Sequence, residues 1–217
     1  MLPAVRSASD LPRLRLVGGE AAAFRRQDRA ALDLTDAQLV ALVSEGDRAA
    51  FESLYRRHSA FAFGLAVRIQ GSAADAEDIV HDAFMRAHSS LTTLKDQEAF
   101  RAWLGSIVVR LIRTRLRRRK LLTSLGLQSL EPVDLDAIAA PTADPESRVL
   151  LAQVYALLQT LPADERISWT LRYIERHRLE AVASLTGCSL ATAKRRIARA
   201  QSFLEAHFVP PFSKDAP

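Results

Sequence analysis

Between Thr35 and Leu204 apolar side chains recur at intervals of three and four, and no segment alternates apolar and polar residues with a period of two. Helices that each bury one stripe satisfy that spacing, whereas a half-buried strand needs the alternation that is missing. The expected fold class is therefore all-α. A break in the pattern at residues 124–146 divides it into two small helical domains joined by a flexible linker, the second containing a helix-turn-helix. In that break "SLGLQSLEPVDLDAIAAPTADPE" holds three prolines and five acidic residues, which interrupt any long helix. As a coil of about 22 residues it has an end-to-end distance of about 25 Å and a full stretch of about 70 Å, so the two domains can reach separated sites.

The expected boundaries are a mobile N-terminal extension over residues 1–34, a first domain over 35–122, a linker over 123–146, a second domain over 147–207 and a tail over 208–217. The extension mixes Pro3, Pro12, Gly18, Gly19, Arg25, Arg26 and Arg29 without a sustained pattern, leaving room for one short helix near residues 20–32. Thr35 and Asp36 then cap a helix with Leu39, Leu42 and Val43, which Gly46 stops. A longer helix runs from Asp47 to about Ile69, carrying Phe51, Leu54, Tyr55, Phe61, Leu65 and Ile69 on its apolar face. After Gly71 and Ser72, "SAADAEDIVHDAFMRAHSSL" sets Ala76, Ile79, Val80, Ala83, Phe84 and Ala87 on one side. Asp75, Glu77, Asp78 and Asp82 lie on the other. Residues 97–120 read as a further long helix, burying Phe100, Trp103, Leu104, Ile107 and Leu111.

Apolar content of 48% in 217 residues is sufficient for ordinary cores. The net charge of +5 favours an anionic partner. One cysteine, Cys188, rules out an intrachain disulfide and suits a reducing compartment. No apolar run approaches the roughly 20 residues that span a bilayer, and the N-terminus lacks a signal-peptide pattern. The sequence thus reads as soluble and cytoplasmic, with no direct membrane insertion. It holds no phosphate-cradling glycine loop, no metal-ligand spacing and no nucleophile–base pair, so no catalytic residues, no metal, no cofactor and no small-molecule substrate are expected.

Two stretches carry the functional signal. In "LEAVASLTGCSLATAKRRIARAQSFL", Ala183 is small where two helices cross, Gly187 suits the positive φ that ends the first helix, and Ser189 caps the second. Val182, Leu185, Ala193, Ile197 and Ala200 supply the buried positions. The second helix then exposes Thr192, Lys194, Arg195, Arg196 and Arg199, a set suited to bases and phosphates in a major groove. A plain helical hairpin shares the spacing, and the residues leave both readings open. Cys188 reads as a hairpin core residue.

The other stretch, "RLIRTRLRRRK" at residues 110–120, has seven basic side chains in eleven positions. Arg110, Arg113, Arg117 and Lys120 follow at intervals of three, four and three, which makes a stripe about 15 Å long on one helix face. Leu111, Ile112 and Leu116 keep another face apolar. Such a stripe is either a solvated surface or a track for phosphates. Phe100 and Trp103 upstream are the aromatic ingredients of a single-strand site, although Trp103 also fits the core.

Together these residues resemble a known family. The string "DAEDIVHDAFMRA" followed by "FRAWLGSIVVRLIRTRLRRRK" is similar to region 2 of the extracytoplasmic-function sigma factors of bacterial RNA polymerase. The string "LPADERISWTLRYIERHRLEAVASLTGCSLATAKRRIARAQSFL" is similar to their region 4, and the likeness covers about residues 36–206.

The resemblance implies an alternative sigma factor that binds core RNA polymerase and directs promoter-specific initiation. Region 2 would dock on the polymerase clamp through Asp75, Glu77, Asp78, His81 and Phe84. It would melt and read the promoter element near the start site through Trp103, Arg110, Arg113, Arg117, Arg118 and Lys120. Region 4 would bind the polymerase flap and read the distal element as duplex through Ser189, Thr192, Lys194, Arg195, Arg196 and Arg199. An anti-sigma factor is the further partner implied. The family pattern has asparagine at Arg110, aspartate at Thr114 and glutamine at His81, differences that bear on promoter sequence more than on fold. The competing reading is an autonomous helix-turn-helix regulator whose N-terminal module dimerises or senses a ligand.

Overall fold

The structure is a computed structural model that describes residues 34–127 and 132–208. The N-terminal extension up to residue 33, its short helix near residues 20–32, and the tail beyond Phe208 lie outside the described residues.

Helix α1 (Asp36–Ser44) begins with a reciprocal cap: Gln38 N–H donates to Thr35 Oγ1 at 3.3 Å, and Thr35 N–H donates to Gln38 Oε1 at 2.8 Å. Helix α2 (Arg48–Gln70) starts from Asp47, whose carboxylate accepts from the amides of Ala49 and Ala50. It ends at Gly71 in the left-handed region, φ +70°. Helix α3 (Ala76–Ser90) and helix α4 (Phe100–Ser124) follow, with short 3₁₀ turns at Leu91–Thr93 and Gln97–Ala99 between them. α1, α3 and α4 all pack on α2. Leu54, Leu65, Ile69, Ile79, Leu104 and Ile112 are fully buried there, each stabilising the domain by about 1.5–3 kcal/mol relative to exposure.

Two local outcomes depart from the periodicity. Tyr55 lies on the expected apolar stripe yet is 41% exposed, its ring leaning on Phe84 with centroids 4.6 Å apart. His58, polar in sequence, is buried, with Nε2 2.8 Å from Asp36 Oδ2 and its ring against Phe100.

The described part of the linker is tied down. Helix α5 (Leu135–Ile138) is a single turn capped by Asp134, whose amide donates to the Gly71 carbonyl at 2.9 Å. Helix α6 (Pro145–Thr160) has Asp144 as its cap and proline at its first position. Helix α7 (Ala163–Trp169) runs into a five-residue π-helical turn (Thr170–Ile174), and helices α8 (Leu179–Thr186) and α9 (Leu190–His207) complete the chain.

The second domain has a small core of its own around Tyr155, Leu158, Leu161, Ala200 and Leu204. Its other apolar residues, Ile167, Leu171, Val182, Leu185, Ala193 and Ile197, join the core of the first domain. The two domains therefore pack against each other, mainly α7 and α8 on α4. Gly105 permits the close approach: a Cβ there would lie 3.1 Å from Leu185 Cδ2 and 3.4 Å from the Phe61 ring.

Candidate nucleic-acid and polymerase interfaces

The basic run of α4 is one helix with three differently employed faces, because residues three and four apart share a side. Arg115 and Arg119 turn to α3. The Arg115 guanidinium lies 3.6 Å from the Asp75 carboxylate and 3.7 Å from that of Asp82, and Arg119 lies 3.5 Å from Asp75. Arg110, Thr114 and Arg118 face solvent. Arg113, Arg117 and Lys120 turn to the second domain.

That third face corrects the expectation of an outward stripe. Arg113 Nη2 donates to the Thr186 carbonyl at 2.6 Å, and its Nε lies 2.8 Å from Asp164 Oδ1. Arg117 Nη2 donates to Asp164 Oδ2 at 2.8 Å while most of its side chain stays exposed. Lys120 Nζ donates to the Thr160 carbonyl at 3.4 Å. The spacing grouped Arg113, Arg117 and Lys120 on one face, but it also counted Arg110, which faces solvent, and it held no information about what packs there. Trp103 is half-buried against Phe100, with centroids 5.9 Å apart, and belongs mostly to the core edge.

The helix-turn-helix forms as its spacing requires. Gly187 ends α8 at φ +62°, Ser189 Oγ accepts from the Thr192 amide at 3.2 Å, and the two hydroxyls lie 2.9 Å apart. Val182, Ala193 and Ala200 are fully buried. Ser189 is thus occupied as a helix cap, with Thr192 half-buried beside it. Lys194, Arg195 and Arg199 are exposed along α9, where Arg199 pairs loosely with Glu165 at 3.8 Å. Arg196 turns inward instead, donating to Asp164 Oδ2 at 3.1 Å. Cys188 is half-buried, its Sγ 3.2 Å from Thr186 Oγ1.

On α3 the expected acidic surface is present: Glu77, Asp78, His81 and Asp82 are exposed. Asp75, at the start of the helix, is engaged with Arg115 and Arg119. Phe84 is 3% exposed and stands edge-on to Phe51, so it supports this surface from beneath and does not form it.

Several residues at the domain junction have no motif in sequence. Asp164 reads there only as a carboxylate in the first turn of a helix, yet it gathers three arginines. Arg166 is 5% exposed, donating to the carbonyls of Ile69 (3.0 Å) and Gln70 at the C-terminal end of α2. Burial pushes its guanidinium down to about 10, so it stays charged at neutral pH. Tyr155 Oη donates to the Arg68 carbonyl at 2.8 Å, and burial raises its phenol. Arg68 in turn pairs with Glu175. Among the described residues no helix is long and apolar enough to cross a membrane.

Two helical domains, one ending in a helix-turn-helix with a basic second helix and the other pairing a basic helix with an acidic one, define a class of bipartite helical DNA-binding proteins. Comparison with known proteins narrows the class. Sigma-70 region 2 matches residues 54–121, and sigma-70 region 4 matches residues 151–204. The RNA polymerase sigma-H factor of Pseudomonas aeruginosa is 30% identical over 182 residues, covering 81% of this chain and 94% of that protein. The ECF RNA polymerase sigma factor SigM of Mycobacterium tuberculosis is 31% identical over 170 residues, covering 78% and 83%.

Two solved structures share the fold. One is the sigma factor RpoE in complex with the anti-sigma factor NepR from Bartonella quintana (TM-score 0.56, 22% identity, 72% of this chain and 94% of that one). The other is CnrH in complex with the cytosolic domain of CnrY (TM-score 0.52, 27% identity, 79% and 95%). The chain belongs to the extracytoplasmic-function sigma factors and is an alternative sigma factor for RNA polymerase. The presence of both regions in order removes the autonomous-regulator reading.

Proposed function

We propose that the domain over residues 35–122 melts and reads the promoter element near the start site, and that the domain over 147–207 reads the distal element as duplex. The observation that carries the second assignment is the exposed row Lys194, Arg195 and Arg199 on a helix whose N-terminus is capped and free to enter a groove. For the first, Arg110 and Arg118 face solvent on α4 and Arg117 and Lys120 are also exposed there, with Arg113 partly buried beside them and Trp103 at the edge of the same helix. Glu77, Asp78 and His81 present the docking surface for the polymerase clamp, with Asp75 and Phe84 shaping it. The second domain meets the polymerase flap.

An anti-sigma protein is the expected regulator, as the complexes of the two structural neighbours support. The protein works in the cytoplasm, where polymerase is, and contributes binding energy without a catalytic step of its own. Tethering makes the second DNA contact intramolecular, so two weak sites combine into a useful affinity. Run-off transcription with core polymerase on genomic fragments tests this reading: promoter-dependent initiation is expected, and its absence on every fragment would overturn it.

A further inference from the structure

Where α4 meets the end of α6 and the start of α7 there is a cleft of about 310 Å³, a size at the low end of small-molecule pockets. Leu116, Leu161 and Ala163 give it an apolar wall, and Arg119, Lys120 and Arg166 bring three cations to it. No aspartate or glutamate is among the described residues that line it. Like charges gathered without an acid between them disfavour one another, and an anion placed among them removes the repulsion.

Of the three cations Arg166 is the most deeply buried. It is 5% exposed, and the partners that hold it, the Ile69 and Gln70 carbonyls, are both neutral. A buried charge ordinarily stands against an opposite one. Burial holds its guanidinium down at about 10, and the charge of nearby Arg119 pushes the same way. Arg119 Nη2 lies 3.5 Å from Asp75 Oδ2, and Lys120 Nζ makes a long contact of 3.4 Å to the Thr160 carbonyl. On the same wall Thr123 has a buried hydroxyl with no hydrogen-bond partner among the described residues, a donor left open for an acceptor in the cleft.

We propose that this cleft is a binding site for a small organic phosphate, whose phosphoryl group meets Arg119, Lys120 and Arg166 and whose apolar body lies against Leu116, Leu161 and Ala163. Charge selects phosphate over carboxylate. A phosphomonoester dianion offsets two of the three cations where a carboxylate offsets one, and its terminal oxygens accept from several donors at once. The site does not depend on how either domain meets DNA.

Isothermal titration calorimetry of the full chain tests the site with hexyl phosphate, AMP and heptanoate, the last a carboxylate of similar length. Saturable binding of a phosphate probe at one site per chain is expected, with heptanoate at least about tenfold weaker than hexyl phosphate. The tighter of hexyl phosphate and AMP tells an alkyl body from a nucleoside. Two neutral variants locate the site. Ala163→Leu fills the cleft, and Thr123→Val exchanges the hydroxyl for a methyl group. Neither alters charge, so binding lost with them is not scattered binding to exposed arginines. Each is expected to weaken the phosphate probes by about fivefold or more, and Thr123→Val decides alone if Ala163→Leu fails to fold. No saturable binding of either phosphate overturns the site. Wild-type affinity in the folded variants overturns its location, and heptanoate binding as tightly as hexyl phosphate overturns the choice of phosphate.

Discussion

Arg166, from the second domain, places Nε 3.0 Å from the carbonyl oxygen of Ile69, at the end of a helix in the first. The last carbonyls of a helix have no intrahelical partner and carry its negative end, so a cation there satisfies an open acceptor and a dipole together. The contact joins residues more than 90 positions apart in sequence, next to Gly71, whose carbonyl accepts from the Asp134 amide of the linker.

Replacing Arg166 with methionine keeps the apolar stem and deletes the guanidinium. The Ile69 and Gln70 carbonyls then lose their donor, and the paired state is expected to weaken by about 1–3 kcal/mol. Thermal unfolding followed by calorimetry should show the two domains uncoupling into separate transitions. A single transition at the wild-type temperature would contradict this.

Gly105→Leu places a side chain where a Cβ alone already meets Leu185 and Phe61. The expected outcome is separation of the domains, read as a larger radius of gyration, with the helix content of the protein preserved because leucine favours helix over glycine. An unchanged radius would show that the junction is more plastic than its packing indicates.

Asp78→Arg and Phe84→Ala separate docking from folding on α3. Asp78 is exposed, so reversing its charge should leave the melting temperature near wild type and abolish binding to core polymerase in a pull-down. Phe84 is buried, and its truncation should cost about 3–5 kcal/mol of stability. Normal polymerase binding by Asp78→Arg would remove this face from the docking surface.

Arg195→Ala should weaken specific duplex binding by about 1–3 kcal/mol and relax the promoter sequence at one position if Arg195 reads a base. Lys194→Ala should weaken all sequences alike and reduce the salt slope by about one if it holds a phosphate. Electrophoretic shifts on matched and mismatched distal elements across a salt series distinguish the two.

Arg113→Ala and Arg117→Ala should slow open-complex formation by the holoenzyme on a linear promoter. Permanganate footprinting reads it directly. Wild-type melting by both variants would confine these residues to the junction.

Much of the site was legible before any coordinates. Thr35, Asp47, Gly187 and Ser189 mark helix ends because capping is a local hydrogen-bonding matter, settled within a few residues. The acidic face of α3 and the exposed row of α9 follow from a period of 3.6 residues. The exceptions share one cause: Tyr55, exposed on an apolar stripe, and His58, buried beside Asp36, depend on which neighbour arrives over each position.

By itself, then, the sequence determined the helices, their buried stripes, the helix-turn-helix and the existence of a basic face on α4, since each rests on contacts among residues close in the chain. Only the tertiary structure decided that this face divides among α3, solvent and the second domain, and that Asp164 collects Arg113, Arg117 and Arg196. Those choices turn on which helix packs against which, a free-energy balance over contacts distant in sequence, and no local period records their outcome.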